Sequence, residues 1–311
     1  MKIFTNSVSL RHDTGIGHPE RSERIGAALE GVQRAGLEVL SDVPAHPETD
    51  RIIAKVHSSD YARDLELAVR GGSRYFHSLD NPISSGSYAA ARGAVGTALA
   101  AAADAKRAFV IARPPGHHAE RANAMGFCFF NTIACVAEWL REQPGIERVF
   151  IFDFDVHHGN GTQHLFDERD DVYYASIHRF PFYPGTGAAN EIGSGKGRGF
   201  TKNIPLSAGE GDAAFLRGTE DEIVRIIDDY MPNAILLSSG FDAHRLDPLG
   251  GMTVTEEGYG EITRRIAECA ERWCDGRVFS LLEGGYDLEG LAASVAEHVN
   301  ALARNAGVPA G

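Results

Sequence analysis

The sequence predicts an α/β domain of the doubly wound kind, with a largely parallel sheet. Short runs rich in β-branched and aromatic residues alternate along the chain with longer amphipathic or alanine-rich stretches. The 311 residues contain no linker rich in proline and serine, and 43% of them are apolar, enough for a sizeable core. We therefore expect a single domain that spans residues 1–311.

The individual elements follow from these two patterns. Strands are predicted at residues 2–5, 52–56, 107–112, 149–154, 172–177, 234–238 and 278–282. Helices are predicted between them, among others at residues 19–35, 84–103, 131–141, 212–230, 255–273 and 288–304. Residues 180–200 are rich in glycine and proline and fit neither pattern, so they are predicted to form a long loop, which favours a functional role.

Charge and cysteine usage limit the classes of function. The chain has 30 basic and 43 acidic residues, a net charge of −13, which argues against nucleic-acid or anionic-membrane partners. A neutral or cationic ligand suits this balance, although many soluble enzymes are simply acidic. The four cysteines lack a Cys-x-x-Cys spacing, and we find no signal-peptide pattern and no apolar run of membrane-spanning length. We expect a cytoplasmic protein with free thiols.

Ionisable side chains follow five of the predicted strands. They are Arg113, His117 and His118 after residues 107–112, Asp155 and His157 after 149–154, His178 and Arg179 after 172–177, Asp242 and His244 after 234–238, and Glu283 and Tyr286 after 278–282. Ligands of doubly wound sheets bind beyond the carboxyl ends of the strands. The sequence therefore predicts a functional site at this edge of the sheet.

The segment 150–161 suggests a metal centre. Side chains alternate along a strand, so Asp153, Asp155 and His157 are expected to point the same way. Buried carboxylates need a partner, and a cation is the simplest one. Asp155 and His157, joined by Asp242 from another strand end, would leave a coordination position open, which is typical of catalytic zinc. The alternative is a salt-bridged or hydrogen-bonded cluster, and these ligands do not separate zinc from ferrous iron.

Candidates for acid/base and electrophilic roles lie close by. His117 and His118 follow a stiff Pro-Pro-Gly turn, and adjacent histidines near a metal strand favour general acid/base work. We expect Asn160 to hydrogen-bond one ring and Asp153 the other, unless Asp153 instead lies over a monovalent cation. Tyr286 follows a Gly-Gly turn and either donates to a developing oxyanion or is simply packed.

Taken together, these motifs resemble the zinc-dependent histone deacetylase superfamily, which includes bacterial deacetylase-like amidohydrolases and acetylpolyamine amidohydrolases. The matching segments are Arg113-Pro-Pro-Gly-His-His-Ala, Gly126-Phe-Cys-Phe-Phe-Asn, Asp153-Phe-Asp-Val-His-His-Gly-Asn-Gly-Thr, Tyr183-Pro-Gly-Thr-Gly, Ser239-Gly-Phe-Asp-Ala-His and Leu282-Glu-Gly-Gly-Tyr. The resemblance runs from about residue 18 to residue 286. The first and last motifs, with Asn160, resemble the class II side of the family.

This resemblance implies an arginase-like fold with an eight-stranded parallel sheet and helices on both faces. It implies that Asp155, His157 and Asp242 bind zinc and that His118 is the general base and then the acid. The other implied catalytic residues are His117 paired with Asp153, and Tyr286, which would polarise the amide carbonyl. Substrate contacts are implied for Gly126, Phe127 and Tyr183 in a narrow tunnel and for Asp80 at its rim. Potassium is implied at Asp153, Asp155, His157, Ser176 and Ile177, and a second monovalent site at Phe166, Arg169 and Val172.

The predicted function is hydrolysis of an N-acetylated amine, with an acetyl-lysine side chain as the substrate. An acetylpolyamine or another small N-acyl amine is the first alternative. A ureohydrolase with two manganese ions is disfavoured because Asp242-Ala-His244 breaks the Asp-x-Asp spacing that would bridge two metals. A non-catalytic acetyl-lysine reader is disfavoured because metal ligands, His118 and Tyr286 occur together. The sequence leaves the acyl group, the natural substrate and the oligomeric state, a homo-oligomer included, open.

Overall fold

The structure, a computed structural model, describes residues 1–304. Its strands are β1 (Lys2–Thr5), β2 (Val39–Ser41), β3 (Tyr75–Phe76), β4 (Ser78–Pro82), β5 (Arg107–Ile111), β6 (Val149–Asp153), β7 (Val172–Arg179), β8 (Thr201–Leu206), β9 (Ala234–Ser239) and β10 (Val278–Leu282). Eight of them form one sheet in the order β2-β1-β5-β10-β9-β6-β7-β8, and β3 pairs with β4 in a separate hairpin. Every neighbouring pair in the large sheet is parallel. The predicted α/β class and the eight-stranded parallel sheet are therefore confirmed.

Helices connect the strands. They are α1 (Glu23–Arg34), α2 (Thr49–Val56), α3 (Ser59–Arg70), α4 (Ser87–Asp104), α5 (Thr132–Leu140), α6 (Asn160–Phe166), α7 (Asp212–Gly218), α8 (Arg225–Tyr230), α9 (Glu256–Trp273) and α10 (Leu288–Ala303). A π-helical segment, Thr219–Val224, joins α7 to α8, so the predicted helix 212–230 exists but changes its hydrogen-bond register. Within residues 1–304, we find no helix that combines the length and apolar character needed to cross a membrane.

Two hydrophobic cores lie on opposite faces of the sheet, as expected when helices cover both faces. Phe150 and Phe152 of β6 belong to the core that also contains side chains of α1, α9 and α10. Val149 and Ile151 belong to the other core, beneath α2, α4 and α5. Strand alternation thus divides β6 between the cores. The alternation continues past the strand end, because Phe154 also lies in the first core.

The predicted strand at residues 52–56 is wrong, because this segment is the second half of α2. Ile52, Ile53 and Val56 are buried, and their spacing of one and four residues places them on one side of a helix. The β-branched composition suggested a strand, but packing of this apolar side against the second core decides the outcome. Strands β2, β3, β4 and β8 and helices α3 and α6 were not predicted.

The strand order explains how distant motifs meet. Strands β5, β10, β9, β6 and β7 are consecutive in the sheet, and they are the five strands that ionisable residues follow in the sequence. Their carboxyl ends therefore lie side by side at one edge. Residues 180–200 flank this edge without regular structure, apart from a short 3-10 turn at Gly195–Gly197. This edge is where a ligand site is expected.

Candidate active site

Two carboxylates and one imidazole converge at the ends of β6 and β9. Nδ1 of His157 lies 3.1 Å from Oδ1 of Asp155 and 3.1 Å from Oδ2 of Asp242. All three potential ligand atoms lie within 4.8 Å of one another, and the two carboxylates are buried. The structure therefore brings together the three residues that the sequence suggested as metal ligands.

Backbone amides hold the two carboxylates in place from the other side. Gly284 donates its amide to Oδ2 of Asp155 at 2.8 Å, and Val156 donates to Oδ1 of Asp242 at 2.8 Å. The other oxygen of each carboxylate faces the ring of His157, and Oδ1 of Asp155 also accepts the backbone amide of His157 at 2.9 Å. A Cβ atom at Gly284 would lie 2.2 Å from Asp242 and 2.6 Å from Asp155, so only glycine fits this position.

The donor set fits a divalent cation such as zinc or ferrous iron. Two carboxylate oxygens and a histidine nitrogen are ligands that both ions accept, and three protein ligands leave room for water or substrate. Burial and the neighbouring Asp155 raise the pKa of Asp242. Two buried carboxylates this close together repel each other, and a bound cation would relieve that repulsion.

His117 and His118 adjoin this cluster and have different partners. Nδ1 of His117 lies 3.1 Å from Oδ2 of Asp153, and Nδ1 of His118 lies 2.7 Å from Oδ1 of Asn160. Both rings are buried, and their centroids are 4.0 Å apart. The loop is fixed by a buried carboxylate, because Glu283 accepts the amide of His117 at 3.2 Å and that of the preceding glycine.

The two rings also differ in charge preference. Burial alone would lower the pKa of His117, but Asp155 and Asp153 outweigh it and raise that pKa well above the ordinary value. Burial, reinforced by the neighbouring His117 and His157 rings, lowers the pKa of His118 well below the ordinary value. One ring therefore favours the cationic form and its neighbour the neutral form. This division suits one electrostatic role and one proton-accepting role.

Tyr286 lies at the start of the segment that follows β10. Its ring packs against Phe127, with centroids 5.9 Å apart, and the guanidinium carbon of Arg24 lies 5.0 Å from its centroid. Its backbone amide donates to Asp247 at 2.7 Å. The preceding Gly285 adopts φ +119°, a backbone conformation that glycine tolerates best. The turn thus directs the phenol toward the cavity next to the metal cluster.

A cavity of about 160 Å³ leads to this cluster. Its lining residues are Asp80, His118, Gly126, Phe127, His157, Tyr183, Leu249 and Tyr286. The four residues expected to contact substrate are all among them. Gly126 has φ +56°, and a Cβ atom there would lie 2.3 Å from the ring of His118. Glycine at this position therefore lets the backbone lie close to that ring. Apolar walls with a few polar atoms at the inner end suit an extended aliphatic chain.

Two of the residues expected to bind potassium, Asp155 and His157, belong to the cluster of candidate metal ligands, and the other three lie on β6 and β7. Asp153 is buried, and its carboxylate accepts the amide of Asp155 at 3.2 Å in addition to its contact with His117. Ser176 and Ile177 are buried neighbours in β7, the strand that pairs with β6. The residues of the second expected site, Phe166, Arg169 and Val172, lie around the connection from α6 to β7.

The sequence did not indicate Arg24 and Leu249, which shape the site, and it indicated Glu283 only as an ionisable residue after a strand. Arg24 is fully buried on α1 and donates to the carbonyl of Gly285 at 2.6 Å. Leu249 lines the cavity from the loop after β9. Glu283 belongs to a recognised motif, so the motif could have indicated it, although not its hydrogen bonds to the histidine loop. Spacing gives no signal for the other two, because their roles depend on how distant parts of the chain meet.

Comparisons with known proteins find similarity to deacetylases. A family model described as histone deacetylase domain matches residues 18–302. The chain is 37% identical to a probable deacetylase of Archaeoglobus fulgidus, over 90% of this chain and 80% of that protein. It is also 37% identical to a histone deacetylase-like amidohydrolase of Pseudomonas aeruginosa, over 86% of this chain and 71% of that protein. The crystal structure of the HDA15 HD domain superposes with a TM-score of 0.89 at 34% identity, covering 97% of this chain and 90% of that one.

Proposed function

This chain belongs to the histone deacetylase family and is a hydrolase that acts on amide bonds, and we propose that it removes an acetyl group from the amine of a lysine side chain with the help of one zinc ion. The observation that supports this most strongly is the convergence of Asp155, His157 and Asp242 beside the paired histidines at the inner end of a narrow cavity. Each part has a role in amide hydrolysis.

The proposed zinc ligands are Asp155, His157 and Asp242. When bound, zinc supplies Lewis-acid polarisation of the amide carbonyl and lowers the pKa of a bound water toward about 7. The chain's part is to hold these ligands rigidly, through the amides of Gly284 and Val156. Fixed hydrogen bonds of this kind orient metal ligands and support metal affinity.

His118 is proposed as the general base and then the general acid. Its Nδ1 contacts Asn160, so its Nε2 is left to take a proton from the attacking water. The same nitrogen then protonates the departing amine. His117, held toward its cationic form by two aspartates, stabilises the negative charge that develops nearby. The hydroxyl of Tyr286 donates to the oxyanion that forms on the substrate carbonyl.

The cavity selects a substrate with an unbranched aliphatic stem. Phe127, Tyr183 and Leu249 provide the apolar walls around the inner polar groups. Asp80 is exposed at the rim, in β4, where its carboxylate can accept N–H groups from a substrate backbone. A lysine side chain presents such a stem between its amide and a peptide backbone, which is the reason we favour acetyl-lysine.

Potassium is proposed as a structural ion near Asp153, Asp155, His157, Ser176 and Ile177. One hydrogen bond supports this assignment. Nε2 of His178 lies 2.9 Å from the carbonyl oxygen of Gly187, so Nε2 carries the proton and donates it. Nδ1 of the same ring is then an acceptor, and the hydroxyl of Ser176 donates to it at 2.8 Å. The lone pairs of the Ser176 oxygen are then available to a cation, whose charge would offset the buried Asp153.

The main alternative is an acetylpolyamine or another small N-acyl amine. The net charge of −13 would attract such cations. A two-manganese ureohydrolase is less favoured, because the imidazole of His244 contacts Glu256 at 3.0 Å instead of turning toward Asp242. Cytoplasmic location and the absence of nucleic-acid partners stay predictions from the sequence.

A direct comparison of substrates tests the proposal. Zinc-loaded protein is incubated with an acetyl-lysine peptide and, separately, with acetylputrescine, and acetate release is measured. We expect the peptide to have the higher kcat/KM. A preference for acetylputrescine would assign the polyamine function instead. Activity only after loading with two manganese ions per chain, on a guanidino substrate, would overturn the deacetylase proposal.

A further inference from the structure

We propose that Glu120 is a positioning residue for His118, which it controls through the side-chain amide of Asn160. This inference rests on the proposed function, because it assigns to His118 the role of general base. It adds a third member to the pair formed by His118 and Asn160. Neither spacing nor the family motifs indicated this residue.

The three side chains form a hydrogen-bonded chain from the active site to the surface. Oδ1 of Asn160 lies 2.7 Å from Nδ1 of His118. Nδ2 of Asn160 donates to Oε1 of Glu120 at 2.6 Å. His118 and Asn160 are buried, with 3% and 2% of their surface exposed, whereas 22% of the Glu120 side chain is exposed. The carboxylate therefore acts from outside the cavity on a ring inside it.

Chemistry fixes the direction of these hydrogen bonds. An ionised carboxylate only accepts, so Glu120 must face the NH₂ end of the amide. The oxygen end of Asn160 then faces His118, and Nδ1 of His118 must be the nitrogen with the proton. Nε2 is left unprotonated, as a base requires. The other contacts of the Asn160 NH₂ group are weaker, because the sulfur of Met125, at 3.4 Å, is a poor acceptor and the carbonyl of His118 lies 3.5 Å away.

Asparagine makes Glu120 necessary. An amide has a donor end and an acceptor end of nearly the same shape, and it can turn over by rotation. If Asn160 turned over, its NH₂ group would require an acceptor at Nδ1 of His118, and the ring proton would move to Nε2. That tautomer cannot accept a proton from water. An aspartate at this position would enforce the useful tautomer without help, since both of its oxygens accept.

Glu120 is itself held in place by its backbone and by α6. Its amide donates to the carbonyl of Asn123 at 2.9 Å, and Nδ1 of His57 donates to its carbonyl at 2.9 Å. His164 lies one helical turn after Asn160, and its Nδ1 lies 2.8 Å from the same Oε1 atom of Glu120. Two residues on one side of α6 thus contact one carboxylate oxygen, which fixes its position.

Steady-state kinetics of four variants test the proposal. Glu120→Met removes the acceptor and should lower kcat about tenfold or more, with little change in KM. Glu120→Gln offers an amide oxygen and should retain most activity. Asn160→Asp alone places two carboxylates together and should also be impaired. The double variant Glu120→Met/Asn160→Asp should be at least about threefold more active than Glu120→Met, because aspartate fixes the tautomer unaided.

A control and an independent readout separate the outcomes. Glu271→Met removes a carboxylate that pairs with Arg107 at the opposite end of the sheet, and its kcat should equal that of the wild type. The tautomer of His118 is read from ¹⁵N imidazole shifts, assigned with His118→Gln. We expect an Nδ1–H ring in the wild type and an Nε2–H population in Glu120→Met.

Unchanged kcat in Glu120→Met, additive losses in the double variant, or an unchanged tautomer would overturn the role of Glu120. Failure of the zinc-loaded wild type to release acetate would instead overturn the proposed function. The tautomer measurement needs no activity, so it tests Glu120 in either case.

Discussion

The backbone amide of Gly284 lies 2.8 Å from Oδ2 of Asp155. Gly284 belongs to the turn that precedes Tyr286, so a proposed metal ligand and the proposed oxyanion donor are joined by one short piece of backbone. The carboxylate of the preceding Glu283 contacts the histidine loop. This turn therefore sets the relative positions of the metal ligands, the histidines and the phenol.

Substitution of Gly284 by alanine should weaken metal binding. The new Cβ atom would meet carboxylate oxygens of Asp242 and Asp155 at 2.2 and 2.6 Å, and both are proposed ligands. We expect zinc affinity to fall by about 10-fold to 100-fold, the range for disrupted support of metal ligands. Chelator competition measures it. Gly26→Ala is the matched control, because its Cβ atom meets nothing within 4 Å. Equal affinity in the two variants would contradict this account.

Tyr286→Phe should lower kcat by about 100-fold to 1,000-fold, the scale for loss of one oxyanion donor. The ring contacts with Phe127 and Arg24 do not involve the hydroxyl, so folding and KM should change little. Initial rates on an acetyl-lysine peptide and thermal unfolding check both expectations. Turnover near that of the wild type would remove Tyr286 from the mechanism.

His118→Gln and His117→Gln should differ in effect. Loss of the general base should reduce kcat by about 100-fold to 10,000-fold. Loss of His117 should reduce it less, because its contribution is electrostatic and zinc still acts on the carbonyl. Both variants are compared at matched zinc content, since His117 also lies 3.8 Å from Asp155. A larger loss in His117→Gln than in His118→Gln would reverse our assignment.

Acid should destabilise the fold through buried neutral histidines. Burial lowers the pKa of His298 to about 3 and that of His12 to about 4. The unfolded chain binds these protons near pH 6.5 and the folded chain does not. The free energy of unfolding therefore has its full value above that pH and decreases as the pH falls toward 4. Each such histidine contributes a slope of about 1.4 kcal/mol per pH unit in this window.

Urea unfolding between pH 7.5 and 4.5 measures this slope. His298 contacts Thr263 at 2.7 Å and Ser280 at 2.8 Å, so His298→Asn should be less stable at pH 7.5. The slope of its free energy of unfolding against pH should nevertheless be smaller than that of the wild type, by the amount that about one proton contributes. An identical slope in variant and wild type would show that His298 is protonated in the fold.

Local sequence patterns predicted the elements whose structure depends mainly on their own residues, and they failed where packing between elements decides the structure. Strand β6 was predictable because alternation sends Phe150 and Phe152 to one core and Ile151 to the other. Residues 52–56 were misassigned because their composition favours a strand, whereas packing beneath the sheet favours a helix. Edge strand β8 escaped prediction because Pro205 and polar residues interrupt its apolar pattern.

Within the site, spacing and position at strand ends suggested Asp155, His157 and Asp242 from the sequence, although β6 ends at Asp153, so Asp155 and His157 lie just beyond the strand. Glu120 and Arg24 could not be predicted in this way. Both act across the fold, Glu120 on a residue of α6 and Arg24 on the turn after β10. Such contacts depend on how distant helices and loops meet in three dimensions, which leaves no periodic signal in the sequence.

Acetate release from an acetyl-lysine peptide by protein that contains one zinc ion per chain tests the central claim most directly. We predict one acetate for each lysine amine exposed, loss of release after chelation, and recovery when zinc is restored. Release that is unaffected by chelation, or no release by fully zinc-loaded protein on any acetylated amine, would contradict the account.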